Sequence, residues 1–357
     1  MMLPHQLKPY LEELGGYDRP TIHIAGSKGK GTTTSLLAAL LQRKGKKIGR
    51  FISPYLLDEK ECFVVNGNKI DEANFLRLRE EISEDLSPFE QRTLMALRFF
   101  QEEECDFVVL ETGWGGRDDA TNIVESKVLT ILTHIELEHT VTLGPTLEII
   151  TEKKLGIARP GVPMITSPNQ DPIIHKLMDD LGIESSYAKD QELGYHHPEA
   201  VGLVMKAMEH LGYEVTQEDR KALSTLIIPG RFERIPFGIH ELILDGAHTP
   251  HSVSYVKDQI LNYQRSSGYD STHWCIHFLK DKSDELINFF PKMESSWISI
   301  NNPRAGLPPL GFNKSSVTEI FEMIHKEKTP RLFAFLGSFK LVAEIKQTLL
   351  ENQIPKE

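Results

Sequence analysis

A lysine set among glycines, where an apolar run meets a helical pattern, is the first feature of this chain able to do chemistry: residues 23–37 read HIAGSKGKGTTTSLL. Backbone N–H groups of Gly29, Lys30, Gly31, Thr32 and Thr33 fall where a strand turns into a helix. Such groups point outward without helical partners, and the helix dipole favours an anion in front of them. Gly26 opens the turn, Lys30 adds a point charge, and Thr32 or Thr33 offers a hydroxyl to phosphate or Mg²⁺. The spacing is not that of the common P-loop, which has four residues between its first Gly and the Gly-Lys pair and Ser or Thr directly after Lys. Here two residues separate Gly26 from Gly29-Lys30, and Gly31 stands between Lys30 and Thr32. Taken alone, the loop leaves a phosphate cradle and a plain strand–helix turn with a solvent lysine equally open.

Two further acids stand where sites form. Glu111 ends the apolar run DFVVL (106–110) and is followed by GWGG (113–116); Asp245 ends ELILD (241–245). Open α/β sheets place their sites at such strand ends. A third pattern is set aside. His273, Cys275 and His277 alternate in a way that invites a metal, but period two puts them on one face of a predicted strand, where packing is the commoner fate. His196-His197-Pro198 reads as a turn.

The elements that must hold these residues are legible from periodicity. Strands are expected at 21–25, 48–52, 106–110, 128–132 and 162–166, with helices from Thr32, over 90–104 and over 145–158. Leu36, Leu37, Leu40 and Leu41 form one stripe of the first helix, and Gly45 stops it. After Pro229-Gly230 the alternation repeats, with strands at 241–245, 274–279, 296–300 and 331–336 and helices near 249–263, 282–291, 315–327 and 338–351. Residues 167–200 show weak periodicity. The expected fold is α/β: a P-loop-type, mostly parallel sheet domain over 1–230, then a smaller Rossmann-like α/β domain over 231–357. A length of 357 residues fits two domains, with the boundary near PGRFERIP (229–236).

Bulk properties narrow the class. A formal charge of -11 argues against a nucleic-acid binder, which needs clustered Lys and Arg. Three scattered cysteines, Cys62, Cys105 and Cys275, fit a reducing compartment without disulfides or a zinc site. No signal pattern or membrane-length apolar run is present, so a cytoplasmic protein is expected.

The loop GSKGKGT (26–32) resembles the GTNGKGS loop of the folylpolyglutamate synthase and dihydrofolate synthase family, within the Mur ligase superfamily. The resemblance continues in order through SPYL (53–56), NGNKI (66–70), FEQRT (89–93), LETGWGGRDDATN (110–122), IELEHT (135–140) and KLGIARPGVP (154–163). In the second half it covers PGRFE (229–233), LDGAHT (244–249), FLKDK (278–282) and GSF (337–339). It implies an ATP-dependent amide ligase in which ATP phosphorylates a folate-type carboxylate and the glutamate amine attacks the acyl phosphate. By the same resemblance Ser53, Glu111 and His139 are magnesium ligands, and Lys154 is the lysine that becomes carbamylated and holds a second Mg²⁺. Arg231 and His248 are implied on the ATP phosphates and Asp245 on the ribose, facing the loop across a cleft. Asp119-Ala120 resembles a segment bordering the pterin pocket. Lys30, His139 and Lys154 are thus the catalytic candidates, with ATP, L-glutamate and a folate or pteroate as partners of a monomer.

The chain departs from the family pattern at named places. Ser27-Lys28 replaces Thr-Asn, Glu136 and Glu138 stand where Gly and Asp are usual, and Cys62 stands where Arg is common. Glu199 falls where an Asn normally faces the nucleotide, and Thr249 replaces Asn after Gly-Ala-His. An acid beside a triphosphate costs binding unless it turns away or meets a cation. These departures keep a second reading open, a nucleotide-binding regulator without catalysis. A peptidoglycan-type amino-acid ligase, the third, is opposed by Gly31 and by GWGGR (113–117).

Overall fold

The computed structural model describes residues 2–280, 283–301, 303–308 and 310–353. The chain divides into two compact units, Met1–Leu226 and Ile227–Glu357.

In the first unit an eight-stranded sheet is built from β1 (Thr21–Ala25), β2 (Ile48–Phe51), β3 (Val64–Val65), β4 (Asn68–Lys69), β5 (Phe107–Glu111), β6 (Lys127–Leu132), β7 (Met164–Thr166) and β8 (Ser185–Tyr187). Their order is β4-β3-β2-β5-β1-β6-β7-β8. All neighbours run parallel except β2 with β3 and β3 with β4. β1 is buried at every position because both faces are covered, which is why it reads as a continuous apolar run. One cluster, including Leu7, Phe51, Phe100 and Leu110, covers one part of the sheet; a second, including Ala25, Leu132, Ile150 and Met178, covers another.

The parallel register decides where the site lies. Phe51 pairs with Leu110, Ile24 with Glu111, and Ala25 with Leu132. Four neighbouring strands therefore end at one edge, and the segments after Phe51, Ala25, Glu111 and Leu132 leave it side by side.

The second unit carries β9 (Glu233–Phe237), β10 (His240–Asp245), β11 (Thr272–Ile276), β12 (Ser295–Ser299), β13 (Asn313–Ser316) and β14 (Leu332–Leu336). They are ordered β13-β12-β11-β14-β10-β9, parallel apart from the β9–β10 pair. Pro236 within β9 is tolerated because this strand lies at the sheet edge.

The main differences from the sequence reading lie where burial erases periodicity. Residues 167–226 hold β8 and the helices Pro172–Asp180, Pro198–His210 and Gln217–Ser224. Nine residues of Pro198–His210 are buried, so no polar stripe marks it as a surface helix. The helix expected near 282–291 is a short turn, Ser283–Leu286, followed by a 3-10 turn, Ile287–Phe289. The last two residues of the FLKDK motif lie outside the described residues. Among the described residues no helix is long and apolar enough to cross a membrane.

Candidate active site

The glycine turn follows β1, and the helix Lys30–Arg43 begins on a left-handed Gly29 with φ 88°. Ser27 N–H and Lys28 N–H both donate to the His134 carbonyl, at 2.8 and 3.1 Å, so the turn lies on the segment that follows β6. Contact there is close. Gly26 has φ 147°, and a Cβ on it would overlap the hydroxyl of Thr133. Gly26→Ala is therefore expected to cost about 1–3 kcal/mol, read as a fall of several degrees in the unfolding temperature; an unchanged value would mean that the turn is not held on Thr133. Lys30 Nζ donates back to the Gly26 carbonyl at 3.0 Å. The Thr33 and Thr112 hydroxyls are buried with no hydrogen-bond partner among the described residues, polar atoms left over beside this turn and after Glu111.

Three lysines and two glutamates gather around the turn. Lys154 is fully buried; its Nζ donates to the Gly26 carbonyl at 2.8 Å and to Glu138 Oε1 at 3.1 Å. Lys28 lies 3.1 Å from Glu138 and 3.5 Å from Glu136. Burial opposes ionisation of Glu138, but Lys154, Lys28 and Lys30 outweigh it and hold the carboxyl at about 2. Lys154 is drawn down to about 8, by burial first and then by Lys30, which Glu138 only partly offsets. Both groups are shifted down, the carboxylate because three cations surround it and the buried ammonium because it has one anion against two like charges, Lys30 and Lys28. The sequence departure at Glu138 thus acquires a definite partner. His139 follows with φ 48° and starts the short helix Thr140–Leu143.

The same lysine segment receives the loop after β5. Arg117 N–H donates to the Lys153 carbonyl at 2.6 Å. A Cβ on Gly116 would stand 2.6 Å from the Lys154 carbonyl and 2.7 Å from that of Lys153, so only glycine allows this approach. This gives a steric reason for the last glycine of GWGG.

Glu111 is buried at the end of β5, and its Oε2 would be 3.5 Å from a Cβ on Gly31. The acid therefore faces the first turn of the helix that follows the glycine loop. Ser53 leaves the same sheet edge two residues after β2. Among the described residues no group of three or more His, Cys, Asp or Glu is arranged for a metal. One buried carboxylate plus hydroxyls still suits Mg²⁺, which is commonly held by one or two carboxylates together with substrate phosphates and water.

Asp119 and Ala120, the pterin-side expectation, are both buried. Asp119 accepts from Trp114 N–H at 2.9 Å, Thr121 N–H at 3.1 Å and the Thr121 hydroxyl at 2.6 Å. Because that hydroxyl donates to Asp119, its oxygen is left to accept from His23 Nε2 at 2.8 Å. His23 therefore carries its proton on Nε2, and burial first, then Lys127 and Arg159, keep it neutral. His23, Thr121, Asp119 and Trp114 form one strut from β1 to the GWGG loop. Sequence reasoning missed His23; its signal was a histidine inside an apolar strand, TIHIA (21–25). His23→Leu, which strands the Thr121–Asp119 pair, is expected to destabilise by about 1–3 kcal/mol, with His23→Gln recovering part of it in urea denaturation. Equal losses in both variants would refute the N–H role.

In the second unit Asp245 is buried at the end of β10 and accepts from Phe232 N–H and Ala247 N–H, each at 2.7 Å. Burial raises its pKa, against Arg231 and those two amides. Arg231 lies over the Phe339 ring, 4.5 Å from its centroid, and His248 Nδ1 donates to the Gly246 carbonyl at 2.8 Å. Thr249 precedes the helix Pro250–Ser267; its N–H donates to the Ser252 hydroxyl at 3.1 Å and the two hydroxyls lie 3.0 Å apart. Three of the histidines set aside earlier have individual partners, although Nε2 of His277 is buried without one among the described residues. His273 meets the Ser296 hydroxyl, His277 the Ile298 carbonyl and His196 the Leu223 carbonyl.

Two units with mostly parallel sheets, the first with a lysine-bearing glycine turn bedded on its sheet edge, define an α/β protein. No model of a protein family matches the chain. Among curated proteins it is 29% identical over 288 residues to the dihydrofolate synthase/folylpolyglutamate synthase of Haemophilus influenzae, covering 69% of this chain and 66% of that one. It is 33% identical over 265 residues to the protein of the same name in Escherichia coli, covering 65% and 62%. The alignments thus span slightly less than two thirds of either relative. The solved structure of E. coli FolC in complex with DHPP and ADP superposes with a TM-score of 0.84 at 25% identity, over 99% of this chain and 94% of that one. In sequence and in fold the chain is similar to the folylpolyglutamate synthase/dihydrofolate synthase family.

Proposed function

We propose that this protein is an ATP- and Mg²⁺-dependent amide ligase that joins L-glutamate to a carboxylate of a folate-type acceptor, dihydropteroate, a tetrahydrofolate polyglutamate, or both. The observation that carries this reading is the convergence at one sheet edge of the glycine turn with Lys30, buried Glu111 facing that helix's first turn, and buried Lys154 bonded to the turn's own Gly26 carbonyl. The relative in the solved structure binds ADP and DHPP, a nucleotide and a second small molecule.

Each residue has a task in the proposed chemistry. An acceptor carboxylate oxygen attacks the terminal phosphorus of ATP, forming the acyl phosphate and releasing ADP. The glutamate amine then attacks the acyl carbon, phosphate leaves, and the nitrogen gives up a proton as the amide forms. The backbone N–H groups of Gly29 to Thr32 cradle phosphate, that of Thr33 being taken up by the Gly29 carbonyl at 2.9 Å instead of facing outward as expected, and Lys30 stabilises charge that moves during transfer. Lys154 fixes the Gly26 carbonyl and holds Glu138 away from the phosphates. Mg²⁺ would be held by Glu111, with Ser53 and His139 as further donors, and would neutralise phosphate oxygens. Arg231 and His248 are assigned to the phosphates and Asp245 to the ribose, while Asp119 and Ala120 shape the acceptor side through the loop they brace.

The two partners described for the Lys154 amine, the Gly26 carbonyl and Glu138, are both acceptors. Glu199, whose acidity favoured the regulator, lies 3.8 Å from the His134 ring nitrogen.

Incubation with MgATP, L-glutamate and either dihydropteroate or a tetrahydrofolate tests the proposal. ADP release together with a one-glutamate mass increment supports it and identifies the acceptor. Nucleotide binding without turnover on any acceptor would overturn it in favour of the regulator.

A further inference from the structure

Glu199 has no part in the chemistry above, yet it sits beneath the loop that does. It lies in the first turn of the helix Pro198–His210 and is 9% exposed. The backbone N–H of His134 faces its carboxyl and favours the charged form, and its Oε2 is 3.8 Å from that residue's ring Nδ1. The carbonyl of the same residue receives Ser27 N–H at 2.8 Å and Lys28 N–H at 3.1 Å. The neighbouring peptides are also held, by Gln170: its amide donates to the Thr133 carbonyl at 3.0 Å and its oxygen accepts Ile135 N–H at 3.1 Å. His134 is thus a relay with Glu199 on its N–H side and the glycine turn on its carbonyl side.

We propose that Glu199 is a positioning residue for nucleotide binding: through His134 it sets where Ser27 and Lys28 lie, so the turn's grip on a triphosphate depends on this carboxyl. The inference rests on the reading of residues 26–32 as the nucleotide loop. Two further properties follow from the surroundings. The groups facing Glu199 are His134, from the segment after β6, and Asp190, from the segment after β8. Burial first, and Asp190 second, push the carboxyl up to about 7 against the His134 N–H. Its charge therefore changes near neutrality. A bound triphosphate adds negative charge nearby and so favours the protonated form; by linkage the nucleotide binds more weakly as pH rises through about 7. A glutamine at this position keeps an acceptor for the His134 N–H and carries no charge. An alanine keeps neither.

The test is calorimetric titration of the full chain with the Mg²⁺ complex of AMPPNP, for wild type, Glu199→Gln and Glu199→Ala, at about pH 6 and about pH 8. Taking the ratio of wild type to variant removes the ligand's own ionisation. The wild-type-to-glutamine affinity ratio is expected to fall about 3–10-fold between the two pH values. The alanine variant is expected to bind roughly tenfold more weakly than glutamine at both. If alanine binds like wild type, or if the glutamine variant keeps the wild-type pH dependence, the inference is wrong. Should the alanine variant fail to fold, the glutamine pH profile decides alone. If wild type itself binds no AMPPNP, the nucleotide reading falls, an outcome distinct from failure of Glu199 within a binding-competent protein.

Discussion

Lys30→Met is expected to reduce kcat by about 10²–10³-fold while leaving the fold intact. The lysine is only half-buried, and the hydrogen bond described for it goes to the Gly26 carbonyl, within its own turn. Removing it therefore takes little from the core. In the proposed chemistry it takes the cation that meets a phosphoryl group as charge moves from acceptor to leaving oxygen. Lys28 and Lys154 cannot replace it, since each is already engaged by Glu138. The loss should fall mainly on kcat, with a smaller rise in the KM for ATP, because backbone N–H groups still bind the ground state. Steady-state kinetics beside a thermal unfolding curve checks this. A variant within tenfold of wild-type kcat would remove Lys30 from the transition state.

The second large effect is on stability. Glu138→Gln leaves fully buried Lys154 without its carboxylate. Breaking a buried pair from one side costs about 3–5 kcal/mol. The lower end is expected here, since the nitrogen already drawn down to about 8 can shed its proton once Glu138 is gone. For a unit of this size about 3 kcal/mol corresponds to roughly 6–12 °C in unfolding temperature. The pH dependence has a definite sign. Glu138 is depressed in the folded state from 4.5 to about 2, so its contribution is complete above 4.5 and is lost as pH falls through about 2. The gap between wild type and variant in urea midpoint should therefore be widest near neutrality and close on acidification through that window. A gap that is constant down to the acid limit would mean that the ion pair is not its source.

How much of this was legible follows from what each residue must satisfy. Strands such as TIHIA (21–25) and DFVVL (106–110) were readable because burial on both faces demands an unbroken apolar run. The arrival of Glu111 at a sheet edge followed from the same reasoning. What could not be read were partnerships set by tertiary contact. Glu138 and Lys154 are sixteen positions apart, and only the folded edge brings them to 3.1 Å. The bonds by which Asp119 braces Trp114 and Thr121 are likewise set by the local fold and not by any pattern in the sequence. The helix Pro198–His210 was hidden because most of it is buried, so its pattern lacks a wet side. Pro236 masked β9, since a proline argues against a strand unless the strand lies at an edge.

The close of the helix Leu147–Leu155 touches two loops at once: Lys154 through its amine to Gly26, and the Lys153 and Lys154 carbonyls against Arg117 and Gly116. Drift in those two lysines is therefore never a private matter for one loop. A lineage altering this corner must amend both sides together or keep it as inherited.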